Sequence, residues 1–247
     1  ESSAAPSVLV STDRDGRRGA ALSLEPGRFS QLSLSPDDGR LLFTRPVAGT
    51  ADIWTYEIAS EVARRVTTDP GYDELGVWSP DGRSVAFRGH VEQEAIIRAA
   101  LDGSSAPATV FNGELHSISQ WARTGHILFS ATHSDTGLDV WAVPATGQGG
   151  PDMVTSDASS ESAGALSPDG RWLAFQSDRT GRDEVYVAAL MNDSGRLRLA
   201  SAATPVSMSG GERPVWRADG RELFFGAPDD SIYAAPITVT SAGIAAG

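Results

Sequence analysis

Carboxylates and one imidazole recur at a fixed distance from a repeated turn. Six residues before each turn start stand Asp73, His116, Glu161 and Gly211; one residue later come Glu74, Ser117, Ser162 and Glu212, with Arg213 next in line. Equivalent positions of a ring of repeats gather at one end of its axis. Asp73, Glu74, His116, Glu161, Glu212 and Arg213 are therefore expected to surround one mouth of a central channel as an acidic funnel. Such a funnel could hold a cation such as calcium, or the basic part of a peptide. Two of its acids could also serve as general acid and base on a carbohydrate or other small substrate. The plainer reading is a water-filled mouth of hydrogen-bonded polar side chains.

Other chemistry lacks its residues. A serine hydrolase needs a Gly-x-Ser-x-Gly elbow, and Gly76-Val77-Trp78-Ser79 does not supply it, because Ser79 opens a turn repeated elsewhere. His90, His116, His126 and His133 show neither His-x-His nor His-Glu-x-x-His spacing, and so read as loop or strand-end residues. Gly147 to Gly150 is glycine-rich but has no following Lys-Ser or Lys-Thr, so it is no phosphate loop. Asp13 to Gly16 and Asp135 to Asp139 carry carboxylates without calcium-loop spacing and are expected to be solvated turns. No catalytic motif stands out, and no cofactor is called for.

The elements that would position these residues are legible in the repeat. Ser35-Pro36-Asp37-Asp38-Gly39-Arg40, Ser79-Pro80-Asp81-Gly82-Arg83 and Ser167-Pro168-Asp169-Gly170-Arg171 are copies of one motif. Ala122-Arg123-Thr124-Gly125-His126 and Arg217-Ala218-Asp219-Gly220-Arg221 are decayed copies, and the five begin 44, 43, 45 and 50 residues apart. Proline presets φ at the second turn position and glycine accepts the left-handed conformation that closes the hairpin. A large apolar residue precedes each turn: Leu34, Trp78, Trp121, Leu166 and Trp216. Strand-forming runs follow, Leu41-Leu42-Phe43, Val85-Ala86-Phe87, Ile127-Leu128-Phe129, Leu173-Ala174-Phe175 and Leu223-Phe224-Phe225. A third strand opens at Asp52-Ile53-Trp54, Asp139-Val140-Trp141, Glu184-Val185-Tyr186 and Ser231-Ile232-Tyr233, and a weaker fourth follows.

A period in the forties with four short strands predicts the blades of an all-β propeller, whose Trp and Phe positions pack blade on blade. Val8 to Thr12 matches a second strand, and Asp15 to Glu25 matches the stretch from Ala51 to Ala59. The expectation is a single domain over residues 1–247, six-bladed, with the ring closed by the N-terminal strands and a polar leader over 1–7. The tail from Thr238 would finish the fifth unit.

Composition fits a folded chain, at 40% hydrophobic and 21% charged residues. A net charge of −12 disfavours nucleic acid and anionic membrane surfaces. No apolar run reaches the roughly 20 residues that cross a bilayer, so no direct membrane insertion is expected. Glu1 to Ser7 lack the basic and apolar regions of a signal peptide, and there is no cysteine.

Two stretches carry a family likeness: Ser79 to Gly82 with Val85-Ala86-Phe87, and Ser167 through Arg179 with Glu184-Val185-Tyr186. They resemble the repeats of TolB-type β-propellers, and the likeness runs from about Val8 to Ile237. The segment from Val206 through Gly210-Gly211, Pro214-Val215-Trp216 and Asp219-Gly220 to Phe225 is further similar to the C-terminal propellers of bacterial membrane-anchored serine/threonine kinases and regulators. The resemblance implies a sensor or protein-interaction role on the outer side of a membrane, periplasmic or extracellular, within a larger protein. The expected function is thus a non-catalytic module that binds a protein or peptide through its loop face or central channel. The alternative is a hydrolase or lyase working in the acidic funnel.

Overall fold

The repeated turn folds as its chemistry requires. In the computed structural model, which describes residues 6–13, 15–47, 49–90, 93–240 and 243–246, the Ser79 hydroxyl donates to Asp81 Oδ1 at 2.6 Å and accepts the Ser84 N–H at 2.9 Å. Asp81 Oδ1 also accepts the Arg83 N–H at 3.0 Å, and Gly82 takes φ +67°. The Ser79 hydroxyl and the Arg83 N–H hold the Asp81 carboxyl below its usual range. Ser167 and Asp169 repeat the arrangement at 2.6 Å, with the Trp172 N–H on Ser167 Oγ at 3.0 Å. At the decayed copy, Ala122 offers no hydroxyl, yet the backbone turn persists through Gly125 N–H to Ala122 O at 3.0 Å. The hydroxyl therefore reinforces a turn that the backbone already makes. Ser79→Ala or Ser167→Ala is expected to cost about 1–2 kcal/mol, measured by chemical denaturation, without loss of the fold.

Each turn joins the inner strand of a blade to its second strand, and two further strands complete the sheet. A short hairpin, β1 (Val10–Thr12) and β2 (Arg18–Ala21), precedes the blades. Blade one holds β3 (Ser30–Leu34), β4 (Arg40–Val47), β5 (Thr50–Glu57) and β6 (Val62–Arg65). Blade two holds β7 (Glu74–Trp78), β8 (Ser84–His90), β9 (Glu94–Ala100) and β10 (Ala108–Asn112). Blade three holds β11 (Ser117–Trp121), β12 (His126–His133), β13 (Gly137–Pro144) and β14 (Asp152–Met153). Blade four holds β15 (Glu161–Leu166), β16 (Trp172–Ser177), β17 (Glu184–Asp193), β18 (Arg196–Leu199) and β19 (Thr204–Pro205). Blade five holds β20 (Glu212–Trp216), β21 (Glu222–Gly226), β22 (Ile232–Thr240) and β23 (Gly243–Ala246). All pairings within the sheets are antiparallel.

Blade four explains the longest repeat spacing. Tyr186 and Val187 of β17 pair with β19, and β17 then runs on to pair Leu190–Asp193 with β18. This added hairpin lengthens the unit without disturbing the blade.

The core lies between blades. Leu42 and Ile53 of blade one meet Trp78, Val85 and Phe87 of blade two. Phe129 of blade three packs with Ala86, Ile96 and Val110 of blade two, and Phe175 of blade four with Leu128 and Val140 of blade three. Phe225 of blade five packs with Val185 and Val187 of blade four. Glycine permits close approach on the inner strands: a Cβ on Gly164 would stand 2.6 Å from Val140 Cγ1.

Among the described residues, the expected six-bladed ring, closed by the N-terminal strands, is corrected to five blades, four of four strands and blade four with an added fifth, and a separate two-stranded hairpin. Strands of three and four residues, exposed along nearly their whole length, cannot bury a blade face. The segment after the hairpin instead lies on blade one. The Ser23 N–H reaches the Tyr56 hydroxyl at 3.3 Å, and Phe29 meets Phe43 edge-on at 5.5 Å. Among the described residues no hydrogen bond ties the hairpin to blade five. The C-terminal expectation holds, since β23 pairs with β22 from Ile237↔Ala246 to Thr240↔Gly243. Of the polar leader over 1–7, the first five residues lie outside the described residues.

Candidate functional site

The inner strands β3, β7, β11, β15 and β20 all run in the same sense along the channel, so their starts and ends mark its two mouths. Neighbouring inner strands pack as β3–β7, β7–β11, β11–β15 and β15–β20.

At the mouth where they start, the six sequence-selected residues separate into two groups. Asp73 and Glu161 are fully buried. Neither carboxylate oxygen of Asp73 has a hydrogen-bond partner among the described residues. Burial, with the Asp69 and Asp52 carboxylates pushing the same way against the Thr67 hydroxyl, raises its pKa to about 6. Glu161 Oε1 is held by the hydroxyls of Ser159 at 2.6 Å and Ser177 at 2.9 Å, and Arg179 lies 3.5 Å away. Burial outweighs all three and moves its pKa upward. The other four lie nearer solvent. Glu74 is ion-paired with Arg88, which also donates to Leu115 O at 3.1 Å. His116 is exposed and bonds through Nε2 to the Thr132 hydroxyl at 2.8 Å. Glu212 and Arg213 are exposed, and the Arg213 N–H reaches Gln176 Oε1 at 3.4 Å. The rim thus carries both signs of charge, over two buried acids.

Arg213 also sits in a strained backbone. Its φ is +51°, and Gln31, Leu75 and Ala163, at the same repeat position, take φ of 56°, 59° and 51°. Each marks a bulge where the inner strand slips against its partner, as between Glu74 and Val77. The bulge turns the start of the inner strand into the channel mouth.

Among the described residues no three His, Asp or Glu side chains come together in a way that could hold a metal ion. The histidines stand apart: His126 is buried with Nε2 2.9 Å from Gly195 O, and His133 lies beside Trp141. The side chain of His90 lies outside the described residues. Asp13 forms a local turn, accepting the Arg17 N–H at 2.8 Å. Asp139 is not the solvated turn residue expected from sequence, for it is fully buried. The reason lies in the repeat. Thr155 Oγ1 accepts the Val140 N–H at 2.9 Å and faces Asp139 Oδ1 at 3.4 Å. Thr67 does the same for Ile53 at 3.1 Å and Asp52 at 3.5 Å, and Ser207 for Val185 and Glu184. An acid opening the third strand and a hydroxyl after the fourth thus clip the outer part of three blades.

The mouth where the inner strands end was not singled out from sequence as a site. There a cavity of about 710 Å³ is lined by Leu32, Leu34, Trp78, Trp121, Val215 and Trp216, among others, with the repeated turns at its rim. Trp78 is buried and donates its indole N–H to Ser33 O at 3.1 Å; Trp216 donates to Ala165 O at 3.0 Å. Gln120 joins Leu166 through both its amide atoms, at 3.3 and 2.7 Å. These bonds clasp β7 to β3, β11 to β15 and β20 to β15. Leu32, Leu34 and Val215 remain open to solvent. The signal for it in the sequence is the large apolar residue before each turn, whose composition alone reads as blade packing.

No protein-family profile matches the chain, and no curated protein matches it in sequence. Solved structures do. TolB from Acinetobacter baumannii superposes with a TM-score of 0.76 at 15% identity, over 96% of this chain and 58% of that one. A TolB-like protein from Agrobacterium tumefaciens gives 0.71 at 20% identity, over 88% and 76%. An oligogalacturonate lyase in complex with manganese gives 0.64 at 13% identity, over 92% and 69%. The chain therefore spans little more than half of the A. baumannii protein. At these identities the likeness is one of architecture: the chain has the TolB-like β-propeller fold.

Proposed function

We propose that this chain is a non-catalytic binding propeller that recognises a protein or peptide at its central channel. The observation that carries the reading is the apolar, tryptophan-lined cavity at the turn-side mouth, where large side chains stay exposed beside backbone groups already satisfied within the protein. In this reading the opposite mouth is a second contact. His116, Glu212, Arg213 and the Glu74–Arg88 pair meet polar or basic groups of the partner, while Asp73 and Glu161 lie beneath them. The resemblance of the repeats supports a place outside the cytoplasm, as the sensor portion of a larger protein.

A photo-crosslinking residue at Arg123 or Ala218, both on the turn-side rim, is expected to give a discrete adduct with one polypeptide in cells. The same residue at exposed Arg198 on β18 is expected to give none. Equal adducts from all three positions would overturn the reading. A sugar lyase or hydrolase is favoured by one observation, the Asp73 carboxyl with its pKa near 6. Turnover of an oligosaccharide panel by the wild type, lost in Asp73→Asn, would replace the binding reading with that one.

A further inference from the structure

One group of polar residues belongs to a single blade and not to the repeat. Arg40 on β4, Thr55 and Glu57 on β5 and Arg64 on β6 share one face of blade one. Thr55 is opposite Leu42 and Arg64, and Glu57 is opposite Arg40 and Val62. That face, with Leu42 and Ile53 on it, packs against blade two. Between the two blades the four residues line a cavity of about 470 Å³, with Leu101 and Gly103 on its far wall. The same register places hold His126, Ala142 and Pro144 in blade three, and Trp172, Val187 and Ala189 in blade four. A blade therefore folds without this group, and its presence in blade one is not a requirement of the repeat.

Its polar atoms are largely uncommitted. Among the described residues Arg64 and Glu57 have no polar partner, and the Thr55 hydroxyl makes no hydrogen bond although Thr55 is only 8% exposed. A buried hydroxyl without a partner is costly, so a group that accepts from Thr55 is stabilised there. Arg40 gives one N–H to Gly82 O at 2.7 Å and lies over the Trp78 ring at 4.8 Å, which fixes the direction of its remaining donors. Arg65, also at the cavity, is committed to Asp52 at 2.8 Å. On a chain of net charge −12, three arginines against one glutamate reverse the local sign.

The chemistry of the ligand follows from this set. Two guanidinium forks and a hydroxyl offer donors to an oxyanion. The Glu57 carboxylate beside them offers only acceptors, so it repels a fully ionised oxyanion and accepts from one that keeps a proton. A phosphate monoester has its second pKa near 6, and in mild acid carries both an ionised oxygen and a P–O–H. A sulfate ester has no such proton. The cavity is larger than a phosphate alone fills, which leaves room for the group that bears it.

We propose that this cavity between blades one and two is a binding site for a singly protonated phosphate monoester. Arg40, Arg64 and the Thr55 hydroxyl take its ionised oxygens, and Glu57 takes the P–O–H. The site shares no lining residue with the turn-side mouth, so its occupation is independent of a polypeptide binding there.

The test is isothermal titration of phenyl phosphate into the full chain at about pH 6, near that second ionisation, in buffer free of phosphate and sulfate. Saturable one-site binding is expected, at least about 10-fold tighter than that of phenyl sulfate, which has the same shape without the proton. Arg64→Gln, at an exposed position, and Thr55→Val, close in shape, are each expected to weaken it by about 5-fold or more. Glu57→Gln is expected to bring the two esters within a few-fold of each other, and Arg198→Gln, on β18, to change neither. No saturable binding overturns the proposal, as do equal binding of the two esters by the wild type and as large a loss from Arg198→Gln as from Arg64→Gln. Inorganic phosphate bound as tightly as phenyl phosphate would give the site to the free ion and overturn its assignment to an ester.

Discussion

Ile96→Ala is expected to destabilise the protein by about 2–5 kcal/mol, and Ile232→Ala by no more than about 0.5 kcal/mol. The two residues hold the same register place in their blades, Ile96 opposite Arg88 and Ile232 opposite Gly226, and are chemically identical. Ile96 is enclosed by blade three, with Phe129 and Val143 in the same cluster. Its truncation removes buried methyl groups and leaves a cavity between two sheets that cannot collapse, because each is fixed by its own ladder. Ile232 faces solvent, so truncation removes little that folding had buried. Paired denaturation curves give both numbers. Equal costs would mean that blade five's outer face is covered in the folded protein.

The second large effect is in pH. Asp73 has its ionisation moved from 3.8 to about 6 in the folded chain, so the fold binds a proton that the unfolded chain has released across that interval. The linkage sign follows: stability from this group is full below about pH 4 and is lost as pH rises through about 6. Ionising the buried carboxyl in the folded state at neutral pH costs on the order of 2–3 kcal/mol. Asp139 and Glu161, also raised chiefly by burial, act in the same direction. Asp37 and Asp81, lowered by the hydroxyls of their turns, act oppositely and at lower pH. The difference between wild type and Asp73→Asn isolates the one group. The variant is expected to gain on the wild type by on the order of 2–3 kcal/mol between pH 4 and pH 7. A difference that stays flat would place Asp73 in contact with water or a partner group.

The blades were legible in the sequence because each turn is a local structure. Ser79, Pro80, Asp81 and Gly82 settle their own geometry, and the Val85-Ala86-Phe87 run that follows has only one way to alternate. Closure was not legible, since it depends on whether a short strand can bury a face. Val8 to Thr12 has the composition of a second strand, but with only three residues paired it lies beside its hairpin partner while Phe29 and Ser23 attach to blade one. The position of the six channel residues was readable to the strand, but their environments were not. Asp73 and Glu212 stand at neighbouring positions of the repeat, yet one is sealed and the other exposed. The buried acid–hydroxyl clip is not legible in the sequence because Asp139 and Thr155 are 16 residues apart, across a loop whose path sequence does not give. The turn-side cavity escaped for a different reason: Trp78 does pack between blades, as its composition suggests, while Leu34 at the same position does not.

If the turn-side mouth is the binding surface, affinity for the crosslinked partner depends on its lips and not on the charged mouth opposite. That partner would be titrated into the wild type, into Leu34→Asp with Val215→Asp, and into His116→Ala with Glu212→Ala and Arg213→Ala. At least a 10-fold loss is expected in the first variant and no more than a few-fold loss in the second. A partner that binds the first variant as tightly as the wild type, or that is lost only from the second, would contradict the claim and move the function to the charged mouth.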